Sequence, residues 1–258
     1  MNMKLEAALT LLCEEPRSTA VLTDFDGTLA PLVDDPKDAR PLQDAIEVLS
    51  NLVTRCALVG VVSGRPVTFL ATHLEIPGLW LSGLYGLESM QDGEIIVVPE
   101  ALGWREVVNE VVHAAIEALP GLLVEDKGIS MTVHFRTAPE RETEVRNWVK
   151  EIAISSGLEM RDAKASIELH PPIAGDKGSV IEEKILGLPG IKTVCFLGDD
   201  RGDLPAFAGL SRLSDQGLRT IRVGVQTPET PALLLNQADI LVEGPTGALE
   251  FLRELTTQ

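Results

Sequence analysis

The sequence predicts an α/β fold: a Rossmann-like parallel-sheet core interrupted by an inserted α+β domain. Three observations carry that expectation. Ala57-Leu58-Val59-Gly60-Val61-Val62 is a continuous apolar run, the pattern of a strand buried on both faces. Helical and strand periodicities alternate before residue 100 and again after residue 172, as βαβ units require. Between them the pattern changes to paired strands and helices, so 101–172 reads as a separate domain and 1–100 with 173–258 as the core.

In chain order, Leu5, Ala8, Leu9 and Leu12 give one apolar stripe to a helix over 3–13. Val21–Thr23 is the first strand, and Pro31, Pro36 and Pro41 interrupt the chain before a helix over 42–56. Its expected inward face is Ala45, Ile46, Leu49, Leu52 and Val53. Pro66 suits the first turn of the helix after the buried strand. Leu79–Leu81 is a third strand, and 84–99 reads as a hairpin turning at Asp92-Gly93.

The insertion should open with a helix over 104–119 and a strand over 122–126. Ser130–Arg136 alternates as a half-exposed strand does, a helix covers 140–156, and strands follow at 158–161 and 166–170. Pro171-Pro172 marks the return. The core resumes with a helix over 177–186, a buried strand Thr193–Leu197 and a short helix holding Ala206 and Phe207. Strands at 220–225 and 240–242 and a helix over 247–255 complete it.

Composition narrows the partners. The formal charge is −17, which disfavours nucleic acid and anionic membranes, both of which need clustered cations. No apolar run approaches spanning length, and no basic-then-apolar leader is present. Cys13, Cys56 and Cys195 are odd in number and widely spaced, as reduced thiols of a cytoplasmic protein are. A monomer is the working expectation.

The chemistry concentrates at strand ends. Asp24 and Asp26, two apart after an apolar run, should share one volume at the end of the first strand. Ser63-Gly64-Arg65, Asp176-Lys177-Gly178 and Gly198-Asp199-Asp200 with Asp203 fall at corresponding places. Each has an ordinary explanation: a hairpin turn, a helix cap, a solvated lysine, acidic first-turn residues. All four together meet the needs of phosphate-ester hydrolysis.

A carboxylate is ionised at neutral pH and can attack phosphorus without a base. Its obstacle is repulsion by the phosphate, which Mg²⁺ held by Asp24 and Asp199 would relieve. Lys177 and Ser63 would hold the other phosphoryl oxygens. Asp26 would protonate the leaving oxygen and then deprotonate the hydrolytic water, a role that asks for apolar or anionic neighbours.

These motifs resemble those of the haloacid dehalogenase-like phosphatases: Asp24-Phe25-Asp26-Gly27-Thr28, Ser63-Gly64-Arg65, Lys177 and Gly198-Asp199-Asp200. Val124-Glu125-Asp126-Lys127, Val133-His134-Phe135-Arg136 and Glu168-Leu169-His170-Pro171 narrow the resemblance to the trehalose-6-phosphate phosphatases. It implies that the insertion is a cap domain and that Mg²⁺ is the cofactor. Asp24, Asp26, Asp199 and further candidates Asp200 and Asp203 would hold the metal, Asp26 through its backbone carbonyl. Ser63, Gly64 and Arg65 would bind the phosphoryl group, and Glu125, Lys127 and Glu168 the sugar. The implied substrate is trehalose 6-phosphate. Alternatives are another sugar phosphate, of the sucrose or mannosylglycerate type, and a phosphosugar-binding regulator with weak turnover.

Two segments depart from that pattern. Gly-Asp-Asp-x-Thr-Asp-Glu-Asp-Ala-Phe becomes Gly198-Asp199-Asp200-Arg201-Gly202-Asp203-Leu204-Pro205-Ala206-Phe207, and Tyr85-Gly86 replaces a Gly-His-Gly-like segment. Other chemistries find little support. Ser63 lacks the nucleophile-elbow context, and His73, His113, His134 and His170 lack metal-ligand spacing. No Walker or Gly-x-Gly-x-x-Gly sequence is present.

Overall fold

The computed structural model describes residues 3–91 and 93–257. Helix α1 (Met3–Glu14) leads into strand β1 (Thr19–Thr23), then α2 (Ala45–Arg55), β2 (Leu58–Val62), α3 (Val67–His73) and β3 (Trp80–Gly83). Next come β4 (Glu88–Gln91), β5 (Glu94–Val97), the short α4 (Pro99–Leu102) and α5 (Arg105–Ala118). Strands β6 (Leu123–Asp126) and β7 (Met131–His134) precede α6 (Glu142–Ser156), β8 (Glu159–Ala163) and β9 (Ser166–His170). The chain ends with α7 (Lys177–Leu186), β10 (Thr193–Gly198), α8 (Leu204–Asp215), β11 (Arg219–Gln226), α9 (Ala232–Gln237), β12 (Ile240–Glu243) and α10 (Gly244–Thr257).

Two compact units result, 1–95 with 175–258, and 96–174. The larger is built on a sheet ordered β12-β11-β10-β1-β2-β3-β4-β5. From β12 to β3 every neighbouring pair is parallel, and β4 runs antiparallel to β3. Successive β1 residues serve opposite faces. Val21 packs with Leu9, Leu49, Leu52 and Leu252, while Ala20 and Leu22 pack with Ile181, Phe207 and Leu210. All five β1 residues are buried, and its middle three, Ala20, Val21 and Leu22, are apolar, as a strand covered on both faces requires.

The smaller unit is a four-stranded antiparallel sheet, ordered β6-β7-β9-β8. Met131, Val133, Ile167 and Leu169 pack with Val108 and Val112 of α5 and Val145 and Val149 of α6. Residues directly opposite in such a sheet share a face. Glu125, Thr132, Glu168 and Arg161 therefore form one polar row across all four strands, on the side away from the helices.

Several expectations need correction. Ile46 is 42 % exposed, and Val48 is buried in its place. The buried stripe centres between Ala45 and Leu52 with Val48 at one edge and Leu49 at the other, and Ile46 lies about 110° around the helix from that centre. Pro66 precedes α3 as its cap instead of entering its first turn. Thr132 is buried, so β7 is not the half-exposed strand its alternation predicts. Residues 84–86 form a tight turn before the hairpin, whose Asp92 lies outside the described residues. The helix after Asp203 has 12 residues rather than a short span, and α4 and α9 were not expected.

Candidate active site

Three adjacent strands set the site. In the order β10-β1-β2, Thr23 lies beside Leu197 and Val61, so Asp24, Asp199 and Ser63 leave the sheet together at the carboxyl ends of these three strands. The Asp24 N–H donates to the Leu197 carbonyl at 2.9 Å, which extends the pairing one residue beyond the strand. Gly27 then turns the chain at φ +79°, and a Cβ there would lie 2.1 Å from an Asp199 carboxylate oxygen. Only glycine allows both the left-handed backbone and that approach.

Lys177 opens α7 and is 2 % exposed. An ammonium at a helix N-terminus opposes the helix dipole, and burying it costs several kcal/mol. Its partners explain its presence. Nζ lies 2.8 Å from Asp24 Oδ1 and 2.7 Å from Asp203 Oδ1. Burial alone would lower its pKa, but Asp203 and Asp24 outweigh that and hold the ammonium well above its ordinary range.

Asp203 uses both carboxylate oxygens. Oδ1 accepts from Lys177, and Oδ2 accepts from the N–H groups of Asp199 and Asp200, at 2.8 and 3.0 Å. It is thus the fixture that orients Lys177 and the Asp199 loop. Asp200 caps the following turn, its Oδ1 accepting from the Gly202 N–H.

Asp24, Asp199 and Asp203 each place a carboxylate oxygen within 4.8 Å of the others, all buried. Against these three carboxylates stands one ammonium, so the cluster carries surplus negative charge away from water. Burial raises the Asp24 pKa well above the carboxylate range; Lys177 opposes this, while Asp203, Asp200 and Asp199 raise it further. A nucleophilic Asp24 therefore needs more positive charge than Lys177 gives. An all-oxygen donor set suits a small hard cation such as Mg²⁺.

Asp26 goes elsewhere. Its oxygens accept from Arg65 Nε and Nη2, both at 2.7 Å, a two-pronged pair. Arg65 also donates to the Pro36 carbonyl at 2.8 Å and lies over the Phe69 ring. One expectation is corrected: the neighbour of Asp26 is a guanidinium, not an apolar or anionic wall. After Thr23 the chain curls, Leu29 and Ala30 both donating to the Phe25 carbonyl, and the two aspartates take different cationic partners, Lys177 for Asp24 and Arg65 for Asp26.

Ser63 is buried, and its Oγ accepts from the Arg65 N–H at 3.3 Å. Tyr85 is a site residue that sequence reasoning saw only as a departure. Its ring packs against Gly64 and Gly202 and lies 5.9 Å from the Lys177 ammonium. A Cβ on Gly202 would sit 3.3 Å from that ring, so the two departures touch.

The residues of the smaller unit that the sequence resemblance assigns to a sugar also gather. Glu168 is 2 % exposed; its Oε1 accepts from Ser130 Oγ at 2.7 Å, with Lys127 at 3.6 Å and Arg161 at 3.8 Å. Glu125 pairs with His134 Nε2 at 2.9 Å. Glu125, Lys127 and Glu168 thus belong to one charged face.

The sequence profile of the Trehalose-phosphatase family matches residues 22–232. The chain belongs to that family. A trehalose-phosphate phosphatase of Mycobacterium leprae is 34 % identical over 205 residues, 74 % of this chain and 47 % of the relative. One from Mycobacterium avium is 32 % identical over 252 residues, 94 % of this chain and 63 % of the relative. The chain therefore spans about half to two thirds of the length of these family members. The solved trehalose-6-phosphate phosphatase C-terminal domain of C. albicans has the same fold, with TM-score 0.81 and 23 % identity, covering 97 % of this chain and 96 % of that one. Among the described residues, no helix is long and apolar enough to cross a membrane.

Proposed function

We propose that the chain hydrolyses a sugar phosphate, trehalose 6-phosphate, in a Mg²⁺-dependent reaction at Asp24. The observation that carries this is the buried Asp24–Lys177–Asp203 arrangement beside Asp199, in a chain of the Trehalose-phosphatase family. Asp24 attacks phosphorus, the sugar oxygen leaves with a proton, and an aspartyl-phosphate forms. Water then attacks that phosphorus, freeing orthophosphate and regenerating Asp24. Lys177 and Ser63 hold phosphoryl oxygens as negative charge builds, together with the Gly64 N–H.

Asp26 carries the proton in both steps; Arg65 holds its carboxyl in place, and the bound phosphate dianion supplies the anionic neighbour that the protonated acid requires. Asp24 and Asp199 would hold the cation with the Asp26 backbone carbonyl, and Asp203 and Asp200 support them from behind. When bound, that cation neutralises the phosphate and favours the ionised nucleophile. Glu125, Lys127 and Glu168 read the sugar, hydroxyls suiting paired carboxylates and an ammonium. A cytoplasmic location and a monomer complete the reading, in keeping with three free cysteines.

The test is phosphate release from a panel of sugar phosphates, with Mg²⁺ or a chelator, for the parent and Asp24→Asn. The reading expects turnover of trehalose 6-phosphate that fails on chelation and falls at least about a thousandfold in the variant. Turnover of other sugars alone would remove the substrate assignment. Binding without turnover would favour the phosphosugar-binding regulator.

A further inference from the structure

Tyr85 stands against this site in a conformation that side chains avoid. Leu84 and Tyr85 are consecutive non-glycine residues at φ +49° and +55°, and Ala165 is the one other such residue among those described. A left-handed residue costs roughly 1–2 kcal/mol, and the usual remedy is glycine. Here the pair is held in place instead. Leu84 is buried, its N–H donates to the Arg65 carbonyl at 3.0 Å, and the Tyr85 N–H donates to the Ser63 carbonyl at 3.1 Å. The strained turn is thereby fastened to the Ser63–Arg65 backbone.

The placement of the phenol gives the strain a use. A Cβ on Gly64 would lie 2.8 Å from Cε2, Cζ and Oη of the ring, and one on Gly202 would lie 3.5 Å from Oη. The hydroxyl end therefore lies between the Ser63-Gly64 turn and the Asp200–Gly202 turn, with the ring beside Lys177. The residue is half-buried, so part of it faces solvent. A ring serving only as filler would sit equally well on a relaxed backbone.

We infer that Tyr85 is a phosphoryl-contacting residue, its hydroxyl donating to a substrate oxygen beside those held by Ser63 and Lys177. This rests on the proposed phosphatase reading and adds one donor to it.

The test is Tyr85→Phe, which keeps the ring, its packing and the left-handed backbone. Three quantities are measured in Mg²⁺: kcat/KM for trehalose 6-phosphate, kcat/KM for a small aryl phosphate, and the Kd of inorganic phosphate by calorimetry. The expected result is a loss of about tenfold or more in all three with unchanged Tm, the size of one hydrogen bond to a charged group. Unchanged values in all three, or a fall in Tm alone, would overturn the inference. If the parent binds phosphate without turning over any ester, the enzymatic reading fails, and the phosphate Kd alone decides Tyr85. If the parent binds no phosphate, both fail.

Discussion

Arg65 grips Asp26 with two parallel hydrogen bonds of 2.7 Å, while two residues earlier Asp24 is held by Lys177. Neighbouring carboxylates are thereby sorted by their cations. One faces the buried aspartate cluster, and the other is presented at the rim on a planar fork. A fork fixes the plane of a carboxylate, which a point charge does not.

Arg65→Lys should for that reason be far from conservative. It keeps one positive charge but loses one of the two bonds to Asp26 and the bond to the Pro36 carbonyl. We expect kcat on a sugar phosphate to fall about ten- to a hundredfold with little change in KM, since proton transfer depends on Asp26 geometry. Stability should fall by about 1–2 kcal/mol, because Asp26 is partly solvated and the pair is correspondingly screened. Steady-state kinetics and urea unfolding check both. A change in KM alone would place Arg65 in substrate binding instead.

Glu168→Gln tests the polar row of the smaller unit. The variant keeps shape but leaves Lys127 and Arg161 facing a neutral amide, 3.6 and 3.8 Å from the original oxygens. Its kcat/KM for trehalose 6-phosphate should drop about tenfold or more, with the aryl phosphate within about twofold of the parent. Equal losses on both substrates would show that Glu168 does not read the sugar.

His170 gives the smaller unit an acid limit. Burial lowers its pKa below the ordinary 6.5, Arg161 adds to this, and Nδ1–H donates to the Pro171 carbonyl at 2.8 Å. The folded state thus favours the neutral ring, and the unfolded chain takes up the proton first. Stability from this group is complete above about pH 6.5 and declines as pH falls through and below it. Amide exchange of β9 at pH 7.5 and 5.5 should show less protection at the lower pH, with a smaller difference in His170→Gln. An identical difference in the variant would exclude His170 as the cause.

Legibility followed chemistry more than geometry. Val21-Leu22, Leu58–Val62 and Val194–Leu197 announced themselves as strands because burial on two faces selects a run of apolar side chains. The groups just beyond them are therefore anchored, and Asp24, Ser63 and Asp199 could be found from spacing alone. What sequence could not supply was pairing at a distance. Nothing local says that Arg65 turns to Asp26, 39 residues away, or that Asp203 spends both oxygens within the protein. Tyr85 was missed as a site residue for a related reason: its left-handed backbone is imposed by hydrogen bonds to Ser63 and Arg65, against its own preference.

The contact between α7 and α8 has a consequence for which changes the molecule tolerates. A Cβ on Gly178 would lie 2.1 Å from the Pro205 carbonyl oxygen, and one on Gly209 would lie 2.9 Å from the Gly178 carbonyl oxygen. Lys177 begins one of these helices, and Asp203 immediately precedes the other. Neither glycine carries a reactive group, yet together they act as a spacer gauge whose zero thickness sets the 2.7 Å Lys177–Asp203 separation. A single methyl at either would wedge the helix starts apart, so a substitution that adds or removes no reactive group would still detune the ammonium.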